Sequence, residues 1–484
     1  MAEILRYDRQ LGCRYITIFA ALLRKNPLFT AINNRDDAVQ WLYDRIDYER
    51  IRPTPALNPF RLERIERLLK RIGSPQERIP AIHIAGTKGK GSTAAMVDSI
   101  LQASGIRAGL FTSPHIAQFE ERMRVSGRMP HPDQLTRLVS KLAEMLHESE
   151  LETSDRIPTF FEITTLLAWM LFDEEGVEIA VLETGLGGRL DCTNVCRPLV
   201  TVITSIGLDH THILGDTLSL IAAEKAGILK AGVPVVQGQL PEVADIVVTT
   251  HAQALGCRQF ICGREFAWHV DHPDNQLSAR PRSQKICVVT PTRNYDALTI
   301  PLLGQHQAHN ASLAVMTAEL LRDAGYGQIN DAAVSHGLRT THWPLRFEVF
   351  DQHPTIVLDA AHNPDSMKAV ANVLTGSEWS NRRRVLVFAA ASDKDADCMI
   401  EIIRPHFDDV VFTRFMGNPR SRPPEELLSI AAELHHDSRP ATRCHVAQNP
   451  ETAVLHAREL AGQAGLVVVT GSIFLASEVR SLLT

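Results

Sequence analysis

The stretch IPAIHIAGTKGKGST, residues 79–93, runs from a short apolar segment through a glycine-rich turn into a polar helix start. The apolar part predicts a buried strand, and Ser92 to Ser104 predicts a helix. Between them, glycines let backbone N–H groups approach phosphate oxygens closely, and a helix N-terminus adds positive field. Gly86, Thr87, Gly89, Gly91 and Ser92 then form a nucleotide cradle. Lys90 would offset β/γ-phosphate charge, and the Ser92 or Thr93 hydroxyl could face phosphate or Mg²⁺. Gly91 separates Lys90 from Ser92, so this is not a strict Walker A pattern. The competing reading is an ordinary glycine-rich strand-to-helix turn.

Outward from this turn a β-then-α rhythm repeats. RAGLF (107–111), EIAVLE (178–183), LVTVITSI (199–206) and VPVVQG (233–238) are short apolar runs with helical segments between them. That alternation predicts an α/β fold, a parallel sheet covered on both faces. Residues 263–300 break the rhythm and read as an irregular β-rich appendage with strands such as KICVV (285–289). Helix returns over 302–321. A second α/β set follows: TIVLDAAHNP, RRVLVFAAAS, DVVFTRF and LVVVTGS. The expected division is a helical extension over 1–36, a P-loop domain over 37–342 and a smaller Rossmann-like domain over 345–484, hinged near His342 to Pro344.

Composition narrows the function. In 484 residues, 44% are hydrophobic and 22% charged, close to globular averages. Fifty basic against 56 acidic residues give a net charge of −6, with no basic excess for a dedicated nucleic-acid or membrane binder. Eight cysteines with no CxxC read as reduced thiols rather than a disulfide framework or zinc site. Ile16 to Leu23 is too short to span a bilayer. A cytoplasmic protein is expected.

Three polar groups sit where strands should end, the place at which open α/β sheets hold ligands. They are TSPH (112–115), ETGLGGRLD (183–191) and SIGLDHTH (205–212). Singly, each reads as a turn, a glycine loop or a capped strand, and His210 alone as a satisfied histidine. Beside a phosphate loop, Ser113, Glu183 and His210 become suitable Mg²⁺ ligands. Lys225 reads as a solvated helix lysine on chemistry alone. Asp359 could meet a ribose or cap a helix, and Arg346 could reach phosphates from the second domain.

Together with TFFE (159–162), EKAGILK, GQHQAHNA, WPLRFE, LDAAHNP, SDKD (392–395) and VTGSIFLASEVR, these motifs resemble the folylpolyglutamate synthase/dihydrofolate synthase family of Mur ligases over roughly residues 37–484. The resemblance implies Gly89 to Ser92, Asn310, Arg346 and Asp359 on ATP, and Ser113, Glu183 and His210 on Mg²⁺, with two ions expected. It implies His362 and Ser472 in a closing cleft. Thr159, Phe160, Phe161, Glu162, Arg189, Leu190 and Asp191 fall where the family binds pterin. Lys225 matches a lysine that this family can carry as a carbamate, and the resemblance places it among the Mg²⁺ ligands. Lys88 stands where many members have Asn, Leu345 replaces the common Gly of WPGR, and Ala360 replaces the Gly of DGAHNP.

The implied reaction is ATP-dependent amide formation. A substrate carboxylate attacks the γ-phosphorus, and the amine of L-glutamate displaces phosphate from the acyl phosphate. Lys90, Lys225, His362 and Ser472 are the expected catalytic set. Partners are small molecules only (pterin or folate, L-glutamate and ATP), and a monomer is expected. Two rivals stand beside this: a Mur-type ligase acting on a UDP-linked precursor, and an ATP-binding regulatory module without ligase activity.

Overall fold

The computed structural model describes residues 32–45, 62–152, 158–271, 282–375, 378–434 and 442–484. The expected helical extension therefore lies outside the described residues, apart from 32–36. The architecture is α/β with two large sheets. The first has seven strands: β1 (Ala81–Ala85), β2 (Ala108–Phe111), β3 (Met123–Val125), β4 (Ile179–Glu183), β5 (Pro198–Ile203), β6 (Val235–Gln237) and β7 (Gln259–Ile261). Their order is β3-β2-β4-β1-β5-β6-β7, parallel except for β3 against β2.

Every residue of β1 is buried, because helices cover both faces of the sheet. On one face, the helices Lys90–Ala103, Gln305–Asp323 and Asp331–Thr340 share a core with a small antiparallel sheet. That sheet is β8 (Ala267–Asp271), β9 (Gln284–Val289) and β10 (Asn294–Ile300), ordered β10-β9-β8. The appendage that read as irregular is thus ordered over its described residues, with Ile286, Val288, Leu298 and Ile300 buried. On the other face, Arg35–Tyr43, Leu62–Arg71, Pro132–Glu152 and Phe160–Glu174 enclose a second core.

The other large sheet contains β11 (Glu348–Phe350), β12 (Thr355–Leu358), β13 (Arg384–Phe388), β14 (Asp409–Phe412), β15 (Arg443–Val446) and β16 (Leu466–Thr470). Its order is β11-β12-β16-β13-β14-β15, parallel except for β11. Central strands β12, β13 and β16 are the Val/Ile/Leu-rich runs expected of a sheet buried on both faces. Between Thr340 and Glu348 the chain crosses from one sheet to the other.

Helix Lys90–Ala103 is held against the crossing helix Asp331–Thr340 at Gly337. A Cβ there would lie 2.5 Å from Ile100 Cα and 2.8 Å from Ser99 O. Both are backbone atoms, so the helices would have to separate. Gly337→Ala should therefore destabilise the fold by about 1–3 kcal/mol in urea denaturation. Gly327→Ala, which meets nothing within 4 Å, should change stability far less.

Candidate active site

The carboxyl ends of β1, β2, β4 and β5 point their following loops at one place, and the glycine-rich turn sits at its centre. Gly86 packs so closely on β5 that a Cβ would fall 1.9 Å from Thr204 Oγ1. Gly89 has φ +82°, and a Cβ there would meet Asn310 Oδ1 at 2.3 Å. Asn310 thus abuts the turn and donates to Gln307 Oε1 at 3.1 Å. The helix begins at Lys90 with Gly89 as its N-cap, so the amides of its first turn have no carbonyl four residues back. Thr93 Oγ1 is buried with no protein partner, and Ser92 is buried beside it. An oxyanion with several lone pairs fits such a set of donors.

Lys90 and Lys225 both donate to the Gly86 carbonyl, at 3.1 and 2.9 Å. Lys90 is not a free cation: it opens the helix and lies 4.0 Å from Glu183. Nor is Lys225 a solvated helix lysine. It is 4% exposed, and burial, with Lys90 adding to it, pushes its ammonium down to about 7. Thr87 is committed elsewhere: its hydroxyl donates to Gly207 O and accepts from Gly207 N. Lys88 pairs with Asp209 at 2.7 Å.

Glu183 ends β4 and is buried, which raises its carboxyl above the usual range. Among the described residues it receives only the Ser113 amide at 3.3 Å and the distant Lys90. A buried carboxylate with lone pairs to spare fits a cation. His210 has a side chain about half exposed and lies 3.8 Å from Asp209; partial burial and the lysines around it push its imidazole down to about 4, so the ring is neutral. Among the described residues no three His, Cys, Asp or Glu side chains converge as a metal cage. A Mg²⁺ held here would take its remaining ligands from phosphate oxygens and water, as that ion commonly does.

The second sheet supplies the other wall. Arg346 lies close enough to Asp359 and Glu183 to feel both charges, and it donates to Leu345 O at 3.0 Å. Asp359 caps no helix. Its two oxygens accept from Phe347 N and Ala361 N, both at 2.8 Å, so it fixes the turn that carries Arg346. Leu345 has φ +57°, the left-handed region where glycine is cheapest, while its side chain is fully buried. His362 Nδ1 lies 2.9 Å from Ala360 O, which can only accept, so Nδ1 carries the proton. Burial and the nearby Lys88 and Lys394 push His362 down to about 3. It is therefore neutral, and charge compensation falls to Arg346 and Lys90. Ser472 caps the helix Ile473–Leu483 by accepting from Phe474 N.

Several expected substrate residues are instead occupied by the protein itself. Thr159 and Glu162 form a capping box for Phe160–Glu174, and Glu162 receives Arg64 through Nε at 2.6 Å and Nη2 at 2.5 Å. Phe160 is buried and stacks on Tyr43, whereas Phe161 packs near Phe111 and against Gly185. Asp191 accepts from Leu186 N, Thr193 N and Thr193 Oγ1, tying its loop shut. Arg189 pairs with Glu224 at the surface, and Leu190 is half-buried. Of the set, Phe161, Arg189 and Leu190 retain accessible surface. Sequence alone did not reveal Arg64 as the partner of Glu162, 98 residues away, or Thr193 as that of Asp191.

Residues 84–318 match the Mur ligase middle domain, and residues 345–473 match the Mur ligase glutamate ligase domain. Over 464 residues the chain is 34% identical to the dihydrofolate synthase/folylpolyglutamate synthase of Bacillus subtilis, covering 94% of this chain and all of that one. The chain belongs to the folylpolyglutamate synthase/dihydrofolate synthase family. Apo folylpolyglutamate synthase of L. casei superposes with a TM-score of 0.80 at 29% identity, covering 93% and 100% of the two chains. E. coli FolC in complex with DHPP and ADP gives 0.76 at 27% identity, covering 92% and 97%.

Glu162→Ala would leave the largely buried Arg64 guanidinium without its carboxylate. Loss of about 3 kcal/mol in chemical denaturation is expected, independent of any pterin. Wild-type stability with weakened pterin binding would instead mark Glu162 as a substrate contact.

Proposed function

We propose that this chain is an ATP-dependent ligase that joins L-glutamate to a pterin carboxylate, dihydropteroate or a tetrahydrofolate polyglutamate, through an acyl phosphate. The observation that carries the reading is the joint use of one cleft by a phosphate loop and a second-domain arginine. Gly91, Glu183 and Arg346 line it together. A relative named for this activity matches over 94% of the chain, and one solved with DHPP and ADP shares its fold.

In this reading the turn Gly86–Ser92 holds the ATP phosphates, with Asn310 against it and Arg346, positioned by Asp359, opposite. Lys90 offsets charge that develops at the γ-phosphoryl during transfer. Phosphoryl transfer needs placement and charge compensation rather than covalent help. Ser113, Glu183 and His210 would hold Mg²⁺, two ions in all, which neutralise phosphate charge when bound. His362, neutral with Nδ1 engaged, leaves Nε2 as a hydrogen-bond acceptor toward the substrates in the closed cleft. Ser472 holds the start of the helix that closes the cleft. Closure keeps water from the acyl phosphate. Both walls come from one chain, which supports a monomeric enzyme, and its substrates support a cytoplasmic one. Folate-type loops favour pterin over a UDP-linked substrate.

Lys225 is the candidate for carbamylation. The reaction requires the neutral amine, and its burial beside Lys90 favours that form. A carbamate would turn a second cation at Gly86 O into an anion facing Lys90. With ¹³C-bicarbonate, the active enzyme should show a carbamate resonance that Lys225→Arg lacks; its absence from active enzyme would exclude the modification.

Turnover should require ATP, Mg²⁺, L-glutamate and a pterin carboxylate together, with product mass raised by one glutamyl residue. Lys90→Ala should lower kcat at least ~100-fold, since one transition-state contact of this kind is typically worth about 3 kcal/mol. Turnover with a UDP-linked peptide and none with any pterin would reject the assignment.

A further inference from the structure

The helix Leu218–Ala226 carries Lys225 in its last turn. Carbonyls there have no amide of their own helix to meet. That of Glu224 accepts from Arg189 N at 2.7 Å, so the loop after β4 answers it. The two backbones are in close contact. A Cβ on Gly188 would lie 2.8 Å from Glu224 O and 3.0 Å from Lys225 O, and one on Gly227 would lie 2.3 Å from Arg189 Cβ.

Asn194 closes this junction. It stands in the short 3-10 turn Cys192–Val195 and is buried. Its Nδ2 donates to Arg189 O at 2.9 Å and to Gly227 O at 3.0 Å. Carbonyls only accept, so both amide hydrogens are used and the orientation of the side chain is fixed. The same orientation leaves Oδ1 buried with no partner among the described residues. A buried acceptor without a donor costs free energy, so the two donated bonds outweigh a real penalty. The side chains of Arg189 and Glu224 also pair, but at the surface, where an ion pair adds little. The buried amide is the firmer tie.

The turn is anchored on its other side as well. Thr193 Oγ1 donates to Asp191 Oδ1 at 2.5 Å, and His83 Nε2 lies 2.8 Å from the same hydroxyl. His83 belongs to β1, the strand that runs into Gly86, and Gly86 O accepts from Lys225. Loop, helix end and phosphate-loop strand therefore meet at Thr193 and Asn194.

Resting on the ligase reading above, we propose that Asn194 is a positioning residue that couples the loop receiving the pterin to Lys225, and through it to Gly86 of the phosphate loop. Asn194 touches no substrate in this role. Arg189 and Leu190, which keep accessible surface, form the side of the loop that a pterin reaches. The two donated bonds then pass any shift of the loop to the helix end at Gly227.

The test is steady-state kinetics of wild type, Asn194→Ala, Asn194→Asp and Asn194→Ser, well below each variant's melting temperature. Ala and Asp both remove the donors, and Asp nearly keeps the shape. Each should lower kcat about 10- to 100-fold, since a misplacement of about 1 Å far from the chemistry can have that effect. KM for dihydropteroate should rise, with KM for L-glutamate within about threefold. Asn194→Ser, which offers one hydroxyl donor, should recover part of kcat. A brace that is merely structural would lower the melt and leave these constants unchanged, and that result would overturn the proposal. A raised dihydropteroate KM with unchanged kcat, or an equal rise in every KM, would also overturn it. If the variants do not fold, hydrogen exchange of the wild type decides. Dihydropteroate should slow exchange over residues 186–191 and 223–229 together; protection confined to the loop, or seen at neither, would refute the coupling. Wild type that forms no glutamyl amide would instead overturn the ligase reading, and the exchange result would still decide the coupling.

Discussion

One carbonyl oxygen, that of Gly86, receives two lysine side chains, and the rest of the site is arranged around that crowding. Two ammonium groups within about 3 Å of the same atom repel each other strongly in a buried setting. The repulsion is relieved if one lysine gives up its proton or an anion enters beside them. Burial moves Lys225 toward the first outcome, while Glu183, 4.0 Å from Lys90, supplies part of the second. Gly86 can hold both lysines because its backbone is clamped to β5 where no side chain would fit. Strand, turn and helix start are therefore one electrostatic unit that gains most from a polyanion.

Much of this was legible in the sequence. Val/Ile/Leu runs that are buried on both faces announce themselves, which is why β1, β4, β5, β12, β13, β14 and β16 were readable as strands. The three-residue edges β3, β7 and β11 were not, because pairing with a neighbour defines them and three residues carry no periodicity. The polar residues divide in the same manner. Position at a strand end showed that Glu183 and Lys90 belong to one place. Whether a carboxylate is free to bind or already engaged depends on partners far along the chain. Glu162 and Glu183 look alike in sequence, yet Arg64 saturates one and leaves nothing comparable for the other.

Departures from the family pattern also become physical. Leu345 occupies a left-handed backbone position where relatives commonly have glycine, and it compensates by burying its side chain in the core of the second sheet. Lys88 does not add a free cation to the phosphate loop, because Asp209 neutralises it at 2.7 Å. Burial alone would raise Asp209, but Lys88 and its neighbours hold that carboxyl well below the usual range.

Asp209 also lies 4.0 Å from Lys394 of the second sheet's loops, so one carboxylate bridges cations from both sides of the cleft. The other polar ties across it are few: Ser477 donates to Ile116 O at 2.6 Å, and Arg282 pairs with Asp351. Partly exposed ion pairs are worth about 0–1 kcal/mol each, so the joint rests on these ties together with limited apolar packing, in which Leu303 and Ile116 meet the cores of the second sheet. A ligand contacting both walls needs only a small differential affinity to shift such a balance. Arg346, placed by the Asp359 turn and electrostatically coupled to Glu183, lies where that differential affinity would arise. On the proposed ligase reading, chemistry and closure are coupled through the same few charges, and an anion shared by both walls would complete the site.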